Sequence, residues 1–211
     1  MTQENIRHFE ELLQKNGRST GIEFTRYELE RLAGYYELVL KWNFRLHLTT
    51  LIKPHTFFHR HIFESDFAET FIAPSVEQVW DIGSGLGVPG IPLAILRPDL
   101  DVNLVESKRG KVVFLEEAVS VLDLENAKVV GARFEEIGEL PSNACLIARA
   151  VEQMEAVVSE MAAMGKKSRQ MIILGAENLA EKLELESGFK THLAPIPGSD
   201  RRFVINALSF T

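Results

Sequence analysis

The chain has 211 residues, 45% of them hydrophobic and 25% charged, and a net charge of −7. That length suits one substantial domain with a helical extension and is short for two independent domains, and the acidic balance argues against broad nonspecific nucleic-acid binding while leaving room for a local basic face. A single cysteine, Cys145, excludes an internal disulfide and a cysteine metal cage, and no apolar run of roughly 18 residues or leader-like amino terminus appears, so a cytoplasmic chain with no membrane span is expected.

Through residue 75 the hydrophobic periodicity is helical. Ile6, Phe9 and Leu13 form one stripe. After a loop from Gly17 to Gly21, Thr25-Arg26-Tyr27-Glu28 is a capping box, and Leu29, Leu32, Ala33, Tyr36 and Leu40 share a face of the helix it starts. A third helix is expected from about Pro54 to Phe71. This extension, residues 1–75, reads as a lid on the main sheet or as part of the substrate site.

From Val76 onward the pattern becomes alternating strands and helices. Strands are expected near 77–82, 101–106, 127–131, 144–149 and 170–175, and helices near 89–97, 109–122, 152–163 and 177–184, with a short turn after 132. The chain ends differently. Phe189 to Pro195 and Arg202 to Phe210 are joined by a segment too short for a crossover helix, so they must pair antiparallel. The expectation for residues 76–211 is a Rossmann-like α/β fold, a mostly parallel seven-stranded sheet closed by an antiparallel hairpin, similar to the class I S-adenosylmethionine-dependent methyltransferases.

The most specific segment is Trp80-Asp81-Ile82-Gly83-Ser84-Gly85-Leu86-Gly87-Val88-Pro89-Gly90, with Glu106 ending the next strand. Glycines after a strand let a ligand approach the backbone, and a carboxylate roughly 20 residues on suits ribose hydroxyls. The spacing also fits a dinucleotide site. A pyrophosphate at this turn would be repelled by Asp81, whereas the ammonium and sulfonium of S-adenosyl-L-methionine are complementary to it, so the charge favours the latter.

Further candidates lie on neighbouring strand ends. Arg149 closes the fourth strand at the ligand edge, where it reads as a cofactor or substrate contact. Phe134 and Glu135 sit in the loop that borders an adenine in this architecture, beside Arg133, and Phe134 reads equally well as a core aromatic. Cys145 is placed inside a strand without an activating base, a small buried hydrophobe rather than a nucleophile. His55, His59 and His61 with Glu64 and Asp66 form no complete ligand pattern, and no metal is expected. Basic clusters occur at Lys108, Arg109 and Lys111, at Lys166, Lys167 and Arg169, and at Arg201 and Arg202; brought to the mouth of the cofactor site, they would suit a polyanion.

Several segments together resemble one family. They are Lys41-Trp42-Asn43, Leu46-His47-Leu48-Thr49, His61-Ile62-Phe63-Glu64-Ser65, Asp81 through Ala94, Leu104-Val105-Glu106-Ser107, Phe114-Leu115, Arg133-Phe134-Glu135 and Arg149-Ala150. The family is the bacterial 16S ribosomal RNA guanine-N7 methyltransferases, also called the glucose-inhibited division protein B family. The resemblance implies S-adenosylmethionine as methyl donor, S-adenosylhomocysteine as product, and 16S ribosomal RNA or the small ribosomal subunit as partner, acted on by a monomer. It implies Gly83, Gly85, Gly87 and Val88 around the methionine moiety, Glu106 at the ribose, and Phe134, Glu135 and Arg149 bordering the rest of the pocket. The family usually has Asn where this chain has His47, Asp where it has Glu64, and Lys where it has Leu174.

Guanine N7 loses no proton on methylation, so the reaction needs positioning rather than a general base. Arg133 and Arg149 are candidates for that positioning at phosphate or O6, and Lys108, Arg109, Lys111, Arg201 and Arg202 for RNA contact. A small-molecule methyltransferase of the same fold, or a non-catalytic cofactor-binding regulator, remain the competing readings.

Overall fold

The apolar run before Gly83 forms the central strand β1 (Gln78–Ile82), and the computed structural model, which describes residues 2–149, 154–164 and 170–208, builds one sheet around it. The other strands are β2 (Asp101–Val105), β3 (Ala127–Val130), β4 (Ala144–Arg149), β5 (Gln170–Gly175), β6 (Lys190–Pro195) and β7 (Phe203–Leu208), in the order β3-β2-β1-β4-β5-β7-β6. β1 pairs in parallel with β2 on one side and β4 on the other. The direction of winding therefore reverses between β1 and β4, and the crevice beyond their carboxyl ends is the topological switch point. β7 runs antiparallel to both β5 and β6, with Gly175 opposite Phe203 and Lys190 opposite Leu208.

The parallel strands are sandwiched, which is why they read as continuous apolar runs rather than alternating ones: Ala144, Cys145, Leu146, Ile147 and Ala148 are all fully buried. On one face Ile82, Leu146, Met171 and Ile173 pack with Val158 and Met161 of α7 (Met154–Met164) and with Leu179 and Leu183 of α8 (Asn178–Ser187). On the other face Val79, Ile147 and Ile172 belong to a cluster that also holds Ile91 of α5 (Gly90–Leu96) and Phe114 of α6 (Arg109–Val121). That same cluster takes in Phe9 and Leu13 of α1 (Thr2–Asn16) and Leu32, Tyr35, Tyr36 and Val39 of α2 (Arg26–Leu46). The amino-terminal helices thus share an apolar core with the sheet.

Local chemistry places the helix ends. Thr25 caps α2 with both halves of the capping box formed, and His47 ends it in a left-handed conformation. Beyond it, Asn43 brackets Thr49 through both backbone groups at 2.9 Å, fixing the loop that leaves the helix. The expected third helix is continuous but not uniform: α3 (Pro54–Phe57) passes through a π-helical turn at Phe58–Phe63 into α4 (Glu64–Glu69). A widened turn re-aims side chains relative to a regular helix, and it buries Phe58, His61 and Ile62 together. Among the described residues no helix is long and apolar enough to cross a membrane.

Two polar contacts lock α4 in place. Gln170 on β5 bonds Phe71 O at 2.6 Å, Ala73 N–H at 3.0 Å and Asn206 Oδ1 at 2.6 Å. Arg18, in the loop after α1, donates to Asp66 at 2.8 Å and Glu69 at 3.0 Å and pairs with Glu28 at 3.4 Å, all four side chains being at most 16% exposed. Arg18→Ala would leave these carboxylates without their shared cation and is expected to cost about 3 kcal/mol. Urea denaturation of the two proteins measures it, and a loss under ~0.5 kcal/mol would mean solvent satisfies the cluster.

Candidate functional site

The turn after β1 is closed by contacts that leave little tolerance for side chains. Gly87 sits at φ 91°, and a Cβ there would lie 2.4 Å from Ile91 Cδ1. A Cβ on Gly90 would lie 2.2 Å from Leu104 Cδ2 and 2.8 Å from Asp81 Oδ2. Ser84 N–H donates to Val105 O at 2.9 Å, tying the turn to the end of β2. Glu106, 6% exposed, accepts from Gly85 N–H at 3.1 Å and from Lys108 N–H at 2.8 Å. Its carboxylate is thereby held across the gap between the glycine turn and α6. Lys111 Nζ is 4.0 Å from it.

Asp81 is fully buried beneath the same turn. Its Oδ2 accepts from Gly90 N–H at 3.1 Å, while Oδ1 has no hydrogen-bond partner. Burial pushes its carboxyl up to about 7, against the Gly90 N–H, the Ser84 hydroxyl and the Arg149 charge, which pull it down. An orphaned buried oxygen of this kind fits a ligand cation, and the glycine cradle with Glu106 fits a ribose beside it. These residues therefore suit S-adenosylmethionine. Tyr35 braces the turn from α2 by donating to Leu86 O at 2.7 Å.

Across the switch point, Arg149 is 7% exposed and turned into the helical extension. Its guanidinium donates to Arg60 O and to His61 Nδ1 at 2.8 Å, and lies 3.6 Å from Glu64 Oε2. His61 in turn lies 3.3 Å from Thr49 Oγ1. Burial, followed by the charges of Arg149, Arg60 and Arg202, lowers the His61 pKa to about 2, so the ring is neutral and its Nδ1 accepts. Glu64, almost fully buried, also pairs with Arg60 at 3.1 Å and with Arg202 of the β6–β7 connection, whose Nη1 is 2.6 Å from Oε2. Burial lowers both Arg149 and Arg202 to about 10, which leaves them protonated at neutral pH.

A cavity of about 930 Å³ opens beside this cluster at the carboxyl ends of β4 and β5. Arg60, Arg149, Lys182, Arg201 and Arg202 line it, together with apolar groups including Leu174, Ala176 and Leu179. Leu174, where a lysine is expected from the resemblance, thus contributes an apolar wall.

The remaining sequence candidates are distributed as follows. Phe134 is 6% exposed and packs in the core with Ile82 and Val105, while Arg133 and Glu135 beside it are exposed. Lys108, Arg109 and Lys111 stand at the start of α6 on the β2 side of the crevice, and Arg201 and Arg202 stand on the β5 side, so the two basic groups flank the switch point. Lys166, Lys167, Arg169 and Ala150 lie outside the described residues. Cys145 is fully buried, and burial drives its thiol pKa well up. The rings of His55 and His59 lie 4.4 Å apart, and among the described residues no group of three His, Cys, Asp or Glu side chains converges as metal ligands would. Sequence reasoning missed Tyr35, Arg60 and Lys182, of which Arg60 and Lys182 carried only the i,i+4 spacing to Glu64 and Glu186.

Comparison with known proteins gives a consistent picture. The family model described as rRNA small subunit methyltransferase G, GidB, matches residues 28–194. A ribosomal RNA small subunit methyltransferase G of Dichelobacter nodosus is 36% identical over 169 residues, covering 80% of this chain and 80% of that one. One from Pseudomonas entomophila is 33% identical, covering 83% of this chain and 81% of the other. Among solved structures, a precorrin-6y C5,15-methyltransferase from Geobacter metallireducens superposes with a TM-score of 0.54 at 13% identity, covering 69% of this chain and 87% of that one, a likeness of fold.

The Asp81 carboxyl makes a pH prediction. Its folded pKa, about 7, stands above the ordinary carboxylate value of 3.8, so its contribution to stability is present below about pH 4 and is lost as pH rises through 7. A cation beside Oδ1 offsets that loss. Thermal stabilisation by S-adenosylmethionine should therefore grow between about pH 5.5 and 7.5, and Asp81→Asn should flatten and weaken it. Identical pH profiles for the two proteins would show that Asp81 does not face the ligand cation.

Proposed function

This chain belongs to the GidB family, rRNA small subunit methyltransferase G, and from that premise we propose that it methylates guanine N7 in 16S ribosomal RNA of the small subunit. The observation that carries the reading is that the matched segment, 28–194, spans both the acid-lined crevice of Asp81 and Glu106 and the cationic cavity walls of Arg60, Arg149 and Lys182. A cofactor that brings positive charge is met by the first, and a polyanionic substrate by the second. We also infer a cytoplasmic monomer in which residues 1–75 act as an extension built onto the methyltransferase domain, 76–211.

Bound in the crevice, S-adenosylmethionine would supply the methyl group to the N7 lone pair as its carbon–sulfur bond breaks, and S-adenosylhomocysteine would be left. The chain's part is positioning. Gly83, Gly85, Gly87 and Val88 shape the turn around the methionine end, with Asp81 beneath it. Glu106, already oriented by two backbone N–H groups, would accept from the ribose hydroxyls, and Glu135, beside the buried Phe134, would border the adenine side. N7 gives up no proton, so no side chain has to act as a base. Arg149, tied to His61 and the backbone, serves better as a rigid wall of the substrate side than as a mobile cofactor contact. Exposed Arg133 is left to touch RNA phosphate or guanine O6.

The decisive experiment is transfer of labelled methyl from S-adenosylmethionine to small ribosomal subunits from cells lacking the corresponding gene, followed by nucleoside analysis. New 7-methylguanosine is the expected product. Cofactor binding without incorporation into subunits or free 16S RNA would overturn the reading in favour of a small-molecule methyltransferase or a regulator.

A further inference from the structure

The cluster around Glu64 is built differently from a surface ion pair. One almost fully buried carboxylate from α4 meets guanidinium groups from three separate elements: Arg60 of the π-helical turn, Arg149 at the end of β4 and Arg202 of the β6–β7 connection. Within this contact one negative charge meets three positive, a surplus of two, and the cavity lining beside it adds Lys182 and Arg201 against a single further carboxylate, Glu155. Taking such a surplus out of water is costly unless an anion returns to it. The arginines differ in access: Arg149 is 7% exposed, while Arg202 and Arg60 are 21% and 37% exposed and line the cavity with Arg201. Glu64 takes both Nη groups of Arg202 and faces the Nε of Arg60, which leaves to the cavity the two Nη groups of Arg60 and the Nε and outer Nη hydrogens of Arg202. The planar fork of Arg60, fixed in this way, matches the oxygens of a phosphate, and Arg202 adds single N–H donors beside it. Arg202 lies beyond residue 194, outside the segment matched by the family model.

We propose that Arg60 and Arg202, clamped by Glu64 and backed by Arg149, form a phosphodiester subsite that seats the backbone of the nucleotide being methylated. The inference rests on the proposed RNA-methylating function and assigns the anchor of that substrate. The cavity's size and mixed lining accommodate a nucleotide, with Leu174, Ala176 and Leu179 offering apolar surface and the arginines taking the charge. Arg60 and Arg202 are anion contacts, and Glu64 is a positioning residue that acts through them. Because the subsite lies on the β5 side of the switch point, it can hold a phosphate without crowding the crevice of Asp81 and Glu106.

The test compares wild type with Arg202→Gln, Arg202→Lys and Glu64→Gln, each checked for folding by circular dichroism. Calorimetry on the S-adenosylhomocysteine complex, with guanosine 5′-monophosphate and guanosine as probes, should show the phosphate favoured by about tenfold in wild type and the preference lost in Arg202→Gln. On small subunits, Arg202→Gln should raise KM about tenfold with little change in kcat, reduce the salt dependence of log KM by about one, and leave cofactor affinity alone; Arg202→Lys should recover part of the loss. Glu64→Gln should raise KM without altering cofactor affinity. No phosphate preference, or one that survives in Arg202→Gln, overturns the subsite, and so does a cofactor affinity that falls in parallel. The calorimetric arm needs no turnover: absence of 7-methylguanosine with wild type would remove the proposed function alone, and normal methylation by Arg202→Gln would remove the subsite alone.

Discussion

Glu64 is the contact on which the charge at the carboxyl edge of the sheet depends, because one buried carboxylate meets arginines from three pieces of chain. α4 supplies the carboxylate, β4 supplies Arg149, and the β6–β7 connection supplies Arg202. A lone buried carboxylate would be expelled or neutralised, and a lone buried Arg149 would be equally unfavourable. Each is tolerated only because the other is there. The pairing therefore adds a charged tie, beside Gln170 and the shared apolar core, where the helical extension meets the sheet.

The π-helical turn gives this contact its geometry. A regular helix through Phe58–Phe63 would not place the carbonyl of Arg60 and the ring of His61 together on Arg149 while burying Phe58 and Ile62. His61 works as a neutral acceptor here, and burial among three arginines keeps it so. Through Thr49 the same ring reaches the loop that Asn43 anchors after α2. The extension is thus wired into the switch point by hydrogen bonds as well as by the apolar core it shares with the sheet. It has a part in the site.

Much of this was legible in the sequence where local rules decide. The capping box at Thr25, the buried parallel strands and the hairpin after Phe189 each follow from short-range pattern, and the structure shows each of them. Asp81, the glycines and Glu106 were found because they share one turn and the strand beside it. The π-helical turn was not legible: the residues from Pro54 to Phe71 carry a helical pattern whichever hydrogen-bond ladder they adopt. Nor was the arginine cluster, since Arg202 lies 138 residues from Glu64 and contact between them is created by the fold alone. Arg149 was singled out for its place at a strand end, but its direction, into the extension, depends on His61 and Glu64. Where the basic groups would stand was open in the sequence; Lys108, Arg109 and Lys111 on one side and Arg201 and Arg202 on the other flank the crevice, because α6 follows β2 and the hairpin follows β5.

That division of charge matters for the chemistry. Carboxylates sit on the β1–β2 side, and arginines gather beyond β4 and β5. During transfer, positive charge leaves the sulfonium and arrives on guanine. On its own this would carry charge from the acidic side toward the cationic side, against the local field. A phosphodiester seated among Arg60 and Arg202 changes the balance, because its negative charge reduces the surplus that the guanine ring would otherwise face. The substrate's own backbone then completes the electrostatics of the site. A free base, lacking that phosphate, would meet the uncompensated arginines and would be the poorer substrate even if it fitted the same cavity.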